Sequence, residues 1–329
     1  MNYSQKHSIV LICSYAPQAH QVLNPPVQKP FMNEGDRLSF RLPYSTPRLE
    51  YSTSDRIFCM KQVLVFTDLD GTLLDHDTYS YAAASKALFE LKKRNIPVIL
   101  NSSKTMAEMK LLRQSMELWH PFIIENGGAV CVPQGYWTSP PEVFSDFDVT
   151  FFGVPYEKLI ELLDQLRAEH GYQFQGFHDI SSEVLSSITG LSKAQAQLAQ
   201  ARLCSEPVQW KDSSESLKTF QEELQTHELQ TLQGGRFMHI QGIVDKGLGV
   251  RWLIEQFQQQ KDITEVFSIG LGDSPNDLAM LSEVDIPVVV RGVNLQAMQL
   301  EHKSSVIYTS ESGPRGWQEA IDSIINDYF

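Results

Sequence analysis

Two acidic residues separated by one residue, Asp68 and Asp70, follow closely after an apolar run at residues 63–66. Ligands of an open parallel sheet bind beyond the carboxyl ends of its strands, so both carboxylates belong at that edge if the run is a strand. Carboxylates this close remain ionised only when a cation lies between them, and their oxygens suit Mg²⁺. The alternative is an acidic loop that only caps a helix, but the preceding run and the following Gly71-Thr72 favour a metal site.

A second acidic cluster follows the apolar run at residues 266–271. If that run is a strand of the same sheet, Asp273 reaches the edge where Asp68 lies and completes the metal site. Asn276 and Asp277 are then expected to orient these metal ligands without binding the metal directly. Taken alone, the cluster fits equally well a turn in which an aspartate caps the following helix.

Two further residues supply groups that a phosphate needs. Ser102 follows the apolar run at residues 98–100, where a hydroxyl and a helix N-terminus bind phosphoryl oxygens. Lys246 begins a predicted helix and offers a cation that neutralises both phosphate and Asp68. Considered separately, Ser102 is better explained as a helix N-cap and Lys246 as a solvated charge. Together with the acidic clusters, they indicate a site for phosphate esters.

The elements that position these residues alternate between buried strands and amphipathic helices. The first part of the chain has predicted strands at 63–66, 98–100 and 122–124 and helices at 79–94 and 104–118. The last part has three predicted helices, one at 246–257, one that begins at about residue 275 and one that begins at residue 316. Its predicted strands are 266–271 and 287–290. This alternation favours an α/β fold with a parallel sheet and helices on both faces.

The middle of the chain has a different pattern, which predicts a separate α+β unit. Pro155 opens a predicted helix, Ser192 and residues 212–215 resemble capping boxes, and short strands are predicted at 172–177 and 236–240. We therefore expect one domain to be inserted into another. The predicted division is a core at residues 61–150 and 242–329 with an inserted cap at residues 151–241.

The first sixty residues carry no motif that suggests chemistry. An apolar stretch at residues 9–16 weakly resembles a secretory signal, but the residues before it are barely charged and no cleavage site follows. Several prolines then interrupt the sequence, namely Pro25, Pro26, Pro30, Pro43 and Pro47. We expect residues 1–60 to form a disordered extension rather than a targeting signal.

The charge and the cysteines limit the partners and the compartment. A formal net charge of −13 repels nucleic acid and anionic membranes, so we expect neither as a partner. An anionic substrate then requires a local cationic pocket. The four cysteines are far apart and form no CxxC pair, which favours free thiols in a reducing cytoplasm. The sequence leaves the oligomeric state open.

The order of the motifs resembles the haloacid dehalogenase superfamily, from about Lys61 to the end of the chain. The motifs are DxDGT at Asp68, a serine after a strand at Ser102, the isolated Lys246 and GDxxND at Asp273. The resemblance implies a Rossmann-like parallel core, and the inserted unit is similar to the C2-type cap of that superfamily's sugar phosphatases.

Further motifs resemble mannosyl-3-phosphoglycerate phosphatases. In the predicted core they are Ser103-Lys104-Thr105 and Glu125-Asn126-Gly127-Gly128. In the predicted cap they are Gly176-Phe177-His178-Asp179-Ile180-Ser181, Thr189-Gly190-Leu191, Ala199-Gln200-Ala201-Arg202, Ser205-Glu206-Pro207 and Gly234-Gly235-Arg236-Phe237. Residues 241–245 depart from that family's pattern, since a more glycine-rich approach to the lysine is expected there.

The resemblance implies a mechanism through an aspartyl phosphate. Mg²⁺ is held by Asp68, the backbone carbonyl of Asp70 and Asp273. Asp68 attacks phosphorus, and Asp70 protonates the leaving alcohol and later deprotonates the hydrolytic water. Ser102, Asn276 and Lys246 are expected to hold the phosphoryl oxygens.

The resemblance also implies a small anionic phosphosugar as the substrate, with mannosyl-3-phosphoglycerate hydrolysed to mannosylglycerate, a compatible solute. Lys104, Arg202 and Arg236 are expected to bind its carboxylate, Glu206 its sugar hydroxyls, and Asn126 a further part of it. The glucosyl analogue and a sucrose-phosphate-type ester are alternative substrates. A phosphosugar mutase is the alternative of another class, and a phosphate-accepting receiver is disfavoured because it needs no general acid.

Overall fold

The computed structural model describes residues 60–138, 146–234, 236–261, 263–292, 298, 300 and 305–328. The predicted extension at residues 1–60 therefore lies outside the described residues, except for Met60. Within the described ranges, no helix is both long enough and apolar enough to cross a membrane.

Strands and helices alternate along most of the described chain. In chain order, the strands are β1 (Met60–Thr67), β2 (Val98–Leu100), β3 (Phe122–Ile124), β4 (Ala129–Pro133), β5 (Phe147–Phe151), β6 (Phe174–Gly176), β7 (Ser205–Trp210), β8 (Leu229–Gln233), β9 (Met238–Gly242), β10 (Ile263–Gly272), β11 (Ile286–Arg291) and β12 (Ile307–Ser312). The α-helices are α1 (Ser85–Lys93), α2 (Met106–Ser115), α3 (Tyr156–His170), α4 (Ser182–Thr189), α5 (Lys193–Gln200), α6 (Ser214–Thr226), α7 (Lys246–Gln258), α8 (Leu278–Glu283) and α9 (Gly313–Tyr328).

A parallel sheet with the strand order β12-β11-β10-β1-β2 forms the centre of the fold. Strand β1 shows why the sheet is covered on both faces, because successive side chains of a strand point to opposite sides. Val63 and Val65 belong to one hydrophobic cluster, which also contains Trp317 of α9. Leu64 and Phe66 belong to another, together with residues of α7 and α8. The predicted α/β fold with helices on both faces of a parallel sheet is confirmed.

The third predicted strand does not continue the parallel sheet as expected. It pairs antiparallel with β4, which pairs in turn with β5, and one isolated parallel bridge between Asn101 and Ile123 connects it to the parallel strands. The reason lies in the turn that follows, where Glu125, Asn126 and Gly127 have φ angles of 49°, 56° and 93°. Three successive left-handed residues reverse the chain tightly, so β4 returns beside β3.

The middle of the chain forms an antiparallel sheet with the strand order β6-β7-β9-β8. One face of this sheet packs on α3 and α6 through a separate hydrophobic cluster, in which Leu163, Phe220 and Ile240 are buried. The observed elements fit the expected α+β character, although β7 and β8 had not been predicted. The domain boundaries stay a prediction.

The first two helices begin later than the sequence pattern predicted. Instead of beginning at Tyr79, α1 begins at Ser85, because Tyr79 has a left-handed φ of 56° and ends a turn that the Asp75 side chain caps. Helix α2 begins at Met106 because Thr105 forms a capping box with Glu108. The capping box predicted at Ser192 is confirmed, whereas Ser213 caps α6 without the reciprocal bond.

Candidate active site

The ends of three neighbouring strands bring the predicted catalytic residues to one edge of the parallel sheet. In the register of this sheet, Thr67 of β1 lies beside Leu271 of β10 and Leu100 of β2. The next residues along these strands therefore emerge at the same level. The Asp68 amide donates to the Leu271 carbonyl (2.9 Å), and the Asn101 amide donates to the Thr67 carbonyl (2.8 Å).

Lys246 lies at the centre of this edge as a buried cation between two carboxylates. Its Nζ lies 2.6 Å from an oxygen of Asp68 and 2.6 Å from an oxygen of Asp277. Only 1% of the lysine side chain is exposed. Burial alone would lower the pKa of Lys246, but Asp277 and Asp68 more than offset it and hold the pKa above its usual value. The side chain is therefore charged at neutral pH.

Burial also acts on the carboxylates. It raises the pKa of Asp68 well above its usual value; Lys246 opposes this rise, whereas Asp277, Asp273 and Asp70 add to it. Burial and the neighbouring Asp277 raise the pKa of Asp273 to about 6. A bound cation would favour the ionised form of both residues, because opposite charge stabilises a carboxylate.

Asp68, Asp273 and Asp277 each offer an oxygen within 4.8 Å of the others, as a metal site requires. Asp277 is already engaged, since one oxygen accepts from Lys246 and the other from the amides of Asp273 and Ser274. Asp68 and Asp273 each keep one oxygen that accepts no hydrogen bond from any described residue. Asp68 and Asp273 thus have oxygens free to bind a cation, whereas Asp277 holds Lys246 and the following turn; the assignment of metal ligands stays a prediction.

Asp70 lies beside this cluster at its more open side, with 37% of its side chain exposed. One carboxylate oxygen accepts from Lys104 Nζ at 2.7 Å. The other oxygen is buried and has no hydrogen-bond partner among the described residues. Lys104 was expected to bind a substrate carboxylate, and here it contacts Asp70 instead.

Ser102 is buried and lies in a network that runs from the parallel sheet towards the antiparallel sheet of the middle region. Its backbone carbonyl accepts from the Asn126 amide (3.0 Å). The Asn126 side chain lies 3.5 Å from Asn276 and 3.4 Å from Gln241 of β9. The structure thus brings together Ser102, Asn126 and Asn276, as the sequence predicted, and adds Gln241.

Arg202 connects the middle region to the loop that carries Ser102. Its side chain is buried, Nε donates to the Ala199 carbonyl (3.0 Å), and Nη1 donates to the Ser103 carbonyl (2.9 Å). Nη2 donates to no described residue. The guanidinium is therefore fixed beside the phosphate-binding loop, with one nitrogen left for a ligand.

Two predicted substrate-binding residues lie elsewhere. Glu206 pairs with Ile240 in the sheet, and because paired residues share a face, it points towards the covering helices. Its oxygens accept from the Tyr156 hydroxyl and the His178 amide, both at 2.8 Å. Glu206 is thus engaged by partners within the middle region, and its expected role towards sugar hydroxyls stays a prediction.

Arg236 is the second of these residues. Its guanidinium donates to the carbonyls of Ile188 and Thr189, at 3.2 and 2.8 Å. These carbonyls belong to the last turn of α4, where a cation is favourable because of the unsatisfied backbone acceptors. Arg236 therefore caps this helix, and its expected contact with a substrate carboxylate stays a prediction.

The structure also reveals polar residues that sequence reasoning missed. Glu125 is fully buried and accepts from the amides of Leu203 and Cys204 and the Ser205 hydroxyl. His239 lies across from Pro207, on the sheet face opposite to α3 and α6, and its Nδ1 is buried without a partner in the described chain. Alternation along β9, with apolar Met238 and Ile240 between polar residues, is the sequence signal that would have predicted this face.

Comparisons with known proteins agree with this architecture. The family model of the haloacid dehalogenase-like hydrolases matches residues 65–139. A haloacid dehalogenase-like hydrolase from Bacteroides thetaiotaomicron has a similar structure, with a TM-score of 0.56, 16% identity and coverage of 80% of this chain and 100% of that one. A phosphatase of the same superfamily and organism has a TM-score of 0.55 and 13% identity, and covers 82% and 95% of the two chains.

The parallel sheet and the aspartates at its carboxyl edge thus define a haloacid dehalogenase-like hydrolase. The glucosyl-3-phosphoglycerate/mannosyl-3-phosphoglycerate phosphatase of Methanococcoides burtonii is 39% identical over 270 residues, which are 80% of this chain and 97% of that protein. Within the superfamily, the chain belongs to the family of this phosphatase.

Proposed function

We propose that the protein is a Mg²⁺-dependent phosphatase that hydrolyses mannosyl-3-phosphoglycerate to mannosylglycerate and phosphate. The observation that carries the proposal is the buried Lys246 between Asp68 and Asp277 at the carboxyl edge of the sheet. A cation held there neutralises a nucleophilic carboxylate and the phosphate that approaches it. The family relationship with the M. burtonii phosphatase supports the choice of substrate.

The proposed reaction has two steps. The carboxylate of Asp68 attacks phosphorus, the bond between phosphorus and the glycerate oxygen breaks, and Asp70 gives its proton to that oxygen. Asp70 then takes a proton from water, the resulting hydroxide attacks phosphorus, and the bond between phosphorus and Asp68 breaks. Inorganic phosphate leaves, and both aspartates return to their initial states.

The residues present fit a divalent cation, since Asp68 and Asp273 each keep an oxygen without a hydrogen bond from the described chain. Mg²⁺ would be held by these two carboxylates and the backbone carbonyl of Asp70, and it would supply positive charge to the phosphoryl oxygens. Ser102, Asn276 and Lys246 hold the phosphoryl oxygens and orient the group for attack.

Arg202 is proposed to bind the glycerate carboxylate. Its Nε and Nη1 are held by backbone carbonyls, so the guanidinium is pre-oriented, and Nη2 remains for the ligand. Lys104 is proposed to contribute a second charge from its position beside Asp70. We further propose a cytoplasmic location, because Cys131 and Cys204 are buried free thiols.

Phosphate release from a panel of esters tests the proposal. We expect the purified full chain to prefer mannosyl-3-phosphoglycerate or its glucosyl analogue over sucrose phosphate, with Mg²⁺ and not with EDTA. Asp68→Asn should abolish turnover, because an amide is a poor nucleophile. Hydrolysis that requires a bisphosphate activator would favour a mutase instead. Appreciable turnover by purified Asp68→Asn would exclude the covalent mechanism.

A further inference from the structure

A cavity of about 370 Å³ lies between the predicted core and the predicted cap, outside the catalytic edge already described. This volume is in the range of small-molecule sites. Core residues of α2 and of the loop before α1 form one side, and α5 and the α4–α5 connection form the other. Its apolar lining includes Leu111, Leu112, Leu191 and Leu198.

Polar groups that have no hydrogen-bond partner in the described part of the chain also line this cavity. The Tyr79 hydroxyl and Gln195 Nε2 make no hydrogen bond with any described residue, and Glu108 uses one carboxylate oxygen in its capping box and leaves the other. An apolar surface with a few unpaired hydrogen-bonding groups suits a pyranose, which has C–H faces and hydroxyl edges. A purely apolar ligand would leave these polar groups unpaired, which is costly.

Tyr79 is the most unusual residue of the cavity. It is 55% exposed although it is a large aromatic residue. Its φ of 56° is rare for a residue with a bulky side chain, and such strain is found mainly where the surrounding structure requires it. The Asp75 side chain maintains the turn through bonds from the amide and hydroxyl of Thr78, at 2.9 and 2.7 Å. The fold thus holds an aromatic ring at the cavity wall.

Lys104 connects the cavity to the proposed general acid. The lysine lines the cavity, its Nζ lies 5.6 Å from the centre of the Tyr79 ring, and the same atom bonds Asp70 at 2.7 Å. In the proposed reaction, the group that leaves from phosphorus is on the Asp70 side. The part of the substrate beyond the glycerate therefore extends past Asp70 and Lys104, towards this cavity.

We propose that this cavity is the subsite for the glycosyl ring of the substrate and that Tyr79 is the aromatic surface on which the ring stacks. The negative face of an aromatic ring attracts the weakly positive C–H groups of a sugar. The inference rests on the proposed function, and it adds the site that recognises the sugar, which the sequence had assigned to Glu206. Tyr79 is thus a specificity residue and takes no part in phosphoryl transfer.

Paired substrates and variants test this assignment. Mannosyl-3-phosphoglycerate contains the sugar, and 3-phosphoglycerate has the same phosphate and carboxylate without it. Tyr79→Ala should lower kcat/KM for the glycosylated ester by about 10- to 30-fold, and by at least fivefold more than for 3-phosphoglycerate. Leu111→Trp, which fills the cavity from an exposed position on α2, should have the same selective effect. Phe89→Ala, at an exposed aromatic position of α1, is the matched control and should behave as wild type.

The outcomes separate this inference from the proposed function. Equal losses on the two esters, or no loss on either, would overturn the glycosyl subsite while leaving the phosphatase intact. If the wild type hydrolyses neither glycosylated ester, the proposed function fails, and inhibition of p-nitrophenyl phosphate hydrolysis by mannosylglycerate then tests the subsite alone. Inhibition that Tyr79→Ala and Leu111→Trp weaken at least fivefold would support the subsite. Absence of inhibition, or equal inhibition of all variants, would overturn it.

Discussion

Replacing Lys246 by methionine should destabilise the protein more than the loss of any exposed ion pair. Methionine keeps the length and apolar character of the lysine stem and removes only the charge and its hydrogen bonds. In the wild type, Nζ contacts Asp68 and Asp277 at 2.6 Å each, and the two carboxylate side chains are 8% and 0% exposed. Without the lysine, two buried acids remain close to each other and to Asp273 with no cation between them.

The expected loss follows from the burial of the pair. Breaking a buried ion pair by removing one partner costs about 3–5 kcal/mol, because the remaining charge is left uncompensated. The exposed pair of Lys86 and Asp322 is the matched control, since its lysine is 76% exposed. Its loss should cost no more than about 1 kcal/mol, because solvent screens exposed pairs. Lys246→Met should therefore differ from Lys86→Met by at least 2 kcal/mol.

Urea unfolding followed by circular dichroism in EDTA measures both free energies of unfolding. Replacing Asp277 by asparagine in the Lys246→Met background removes one uncompensated acid and should recover part of the loss. Mg²⁺ should recover another part, because binding to Asp68 and Asp273 in the folded state stabilises it. Equal stability of Lys246→Met and Lys86→Met would refute the reasoning, as would further destabilisation by the asparagine replacement.

Three other perturbations have distinct expected results. Asp70→Asn should slow hydrolysis of the sugar ester by about 10²–10⁴-fold and affect p-nitrophenyl phosphate much less, since that leaving group needs no proton; equal losses would argue against general acid catalysis. Arg202→Ala should lower kcat/KM for the sugar ester by about 10- to 1000-fold and lower it less for p-nitrophenyl phosphate. If Arg202 only stabilised the fold, the two substrates would lose activity equally. Burial, and then Arg113, lower the pKa of His120 to about 4. In the unfolded chain the residue binds a proton as the pH falls below about 6.5, so His120 makes unfolding at pH 5 easier than at pH 7 by about 1–2 kcal/mol. Burial also lowers the pKa of His239, to about 3, so that residue contributes in the same direction. His120→Gln should therefore reduce the difference in unfolding free energy between pH 5 and pH 7 by about 1–2 kcal/mol in urea titrations, and an unchanged difference would contradict this assignment.

The catalytic edge was predictable because its geometry depends on short stretches of chain. Asp68 and Asp273 follow apolar runs that form β1 and β10. Because these strands pair in parallel, their carboxyl ends lie at one level, and this does not depend on the rest of the fold. The buried state of Lys246 was not predictable, since a lysine at the start of a helix is usually solvated. Its burial depends on Asp277, which becomes its neighbour only through the packing of α7 against α8.

The substrate-recognition residues were harder to predict because their contacts depend on tertiary packing and, for Glu206, on which face of the sheet the residue occupies. Arg202 and Glu206 lie only four residues apart, yet Arg202 reaches the Ser103 carbonyl beside the phosphate loop, and Glu206 turns towards α3. A shift of one residue in the register of β7 against β9 would place Glu206 on the opposite face of the sheet. Residue type indicates which side chains can bind a carboxylate or a sugar, and the observed pairing of Glu206 with Ile240 indicates which face of the sheet Glu206 occupies. Because Glu206 faces α3 and the cavity at Tyr79 opens beside Lys104, we propose the cavity rather than Glu206 as the place where the sugar is recognised.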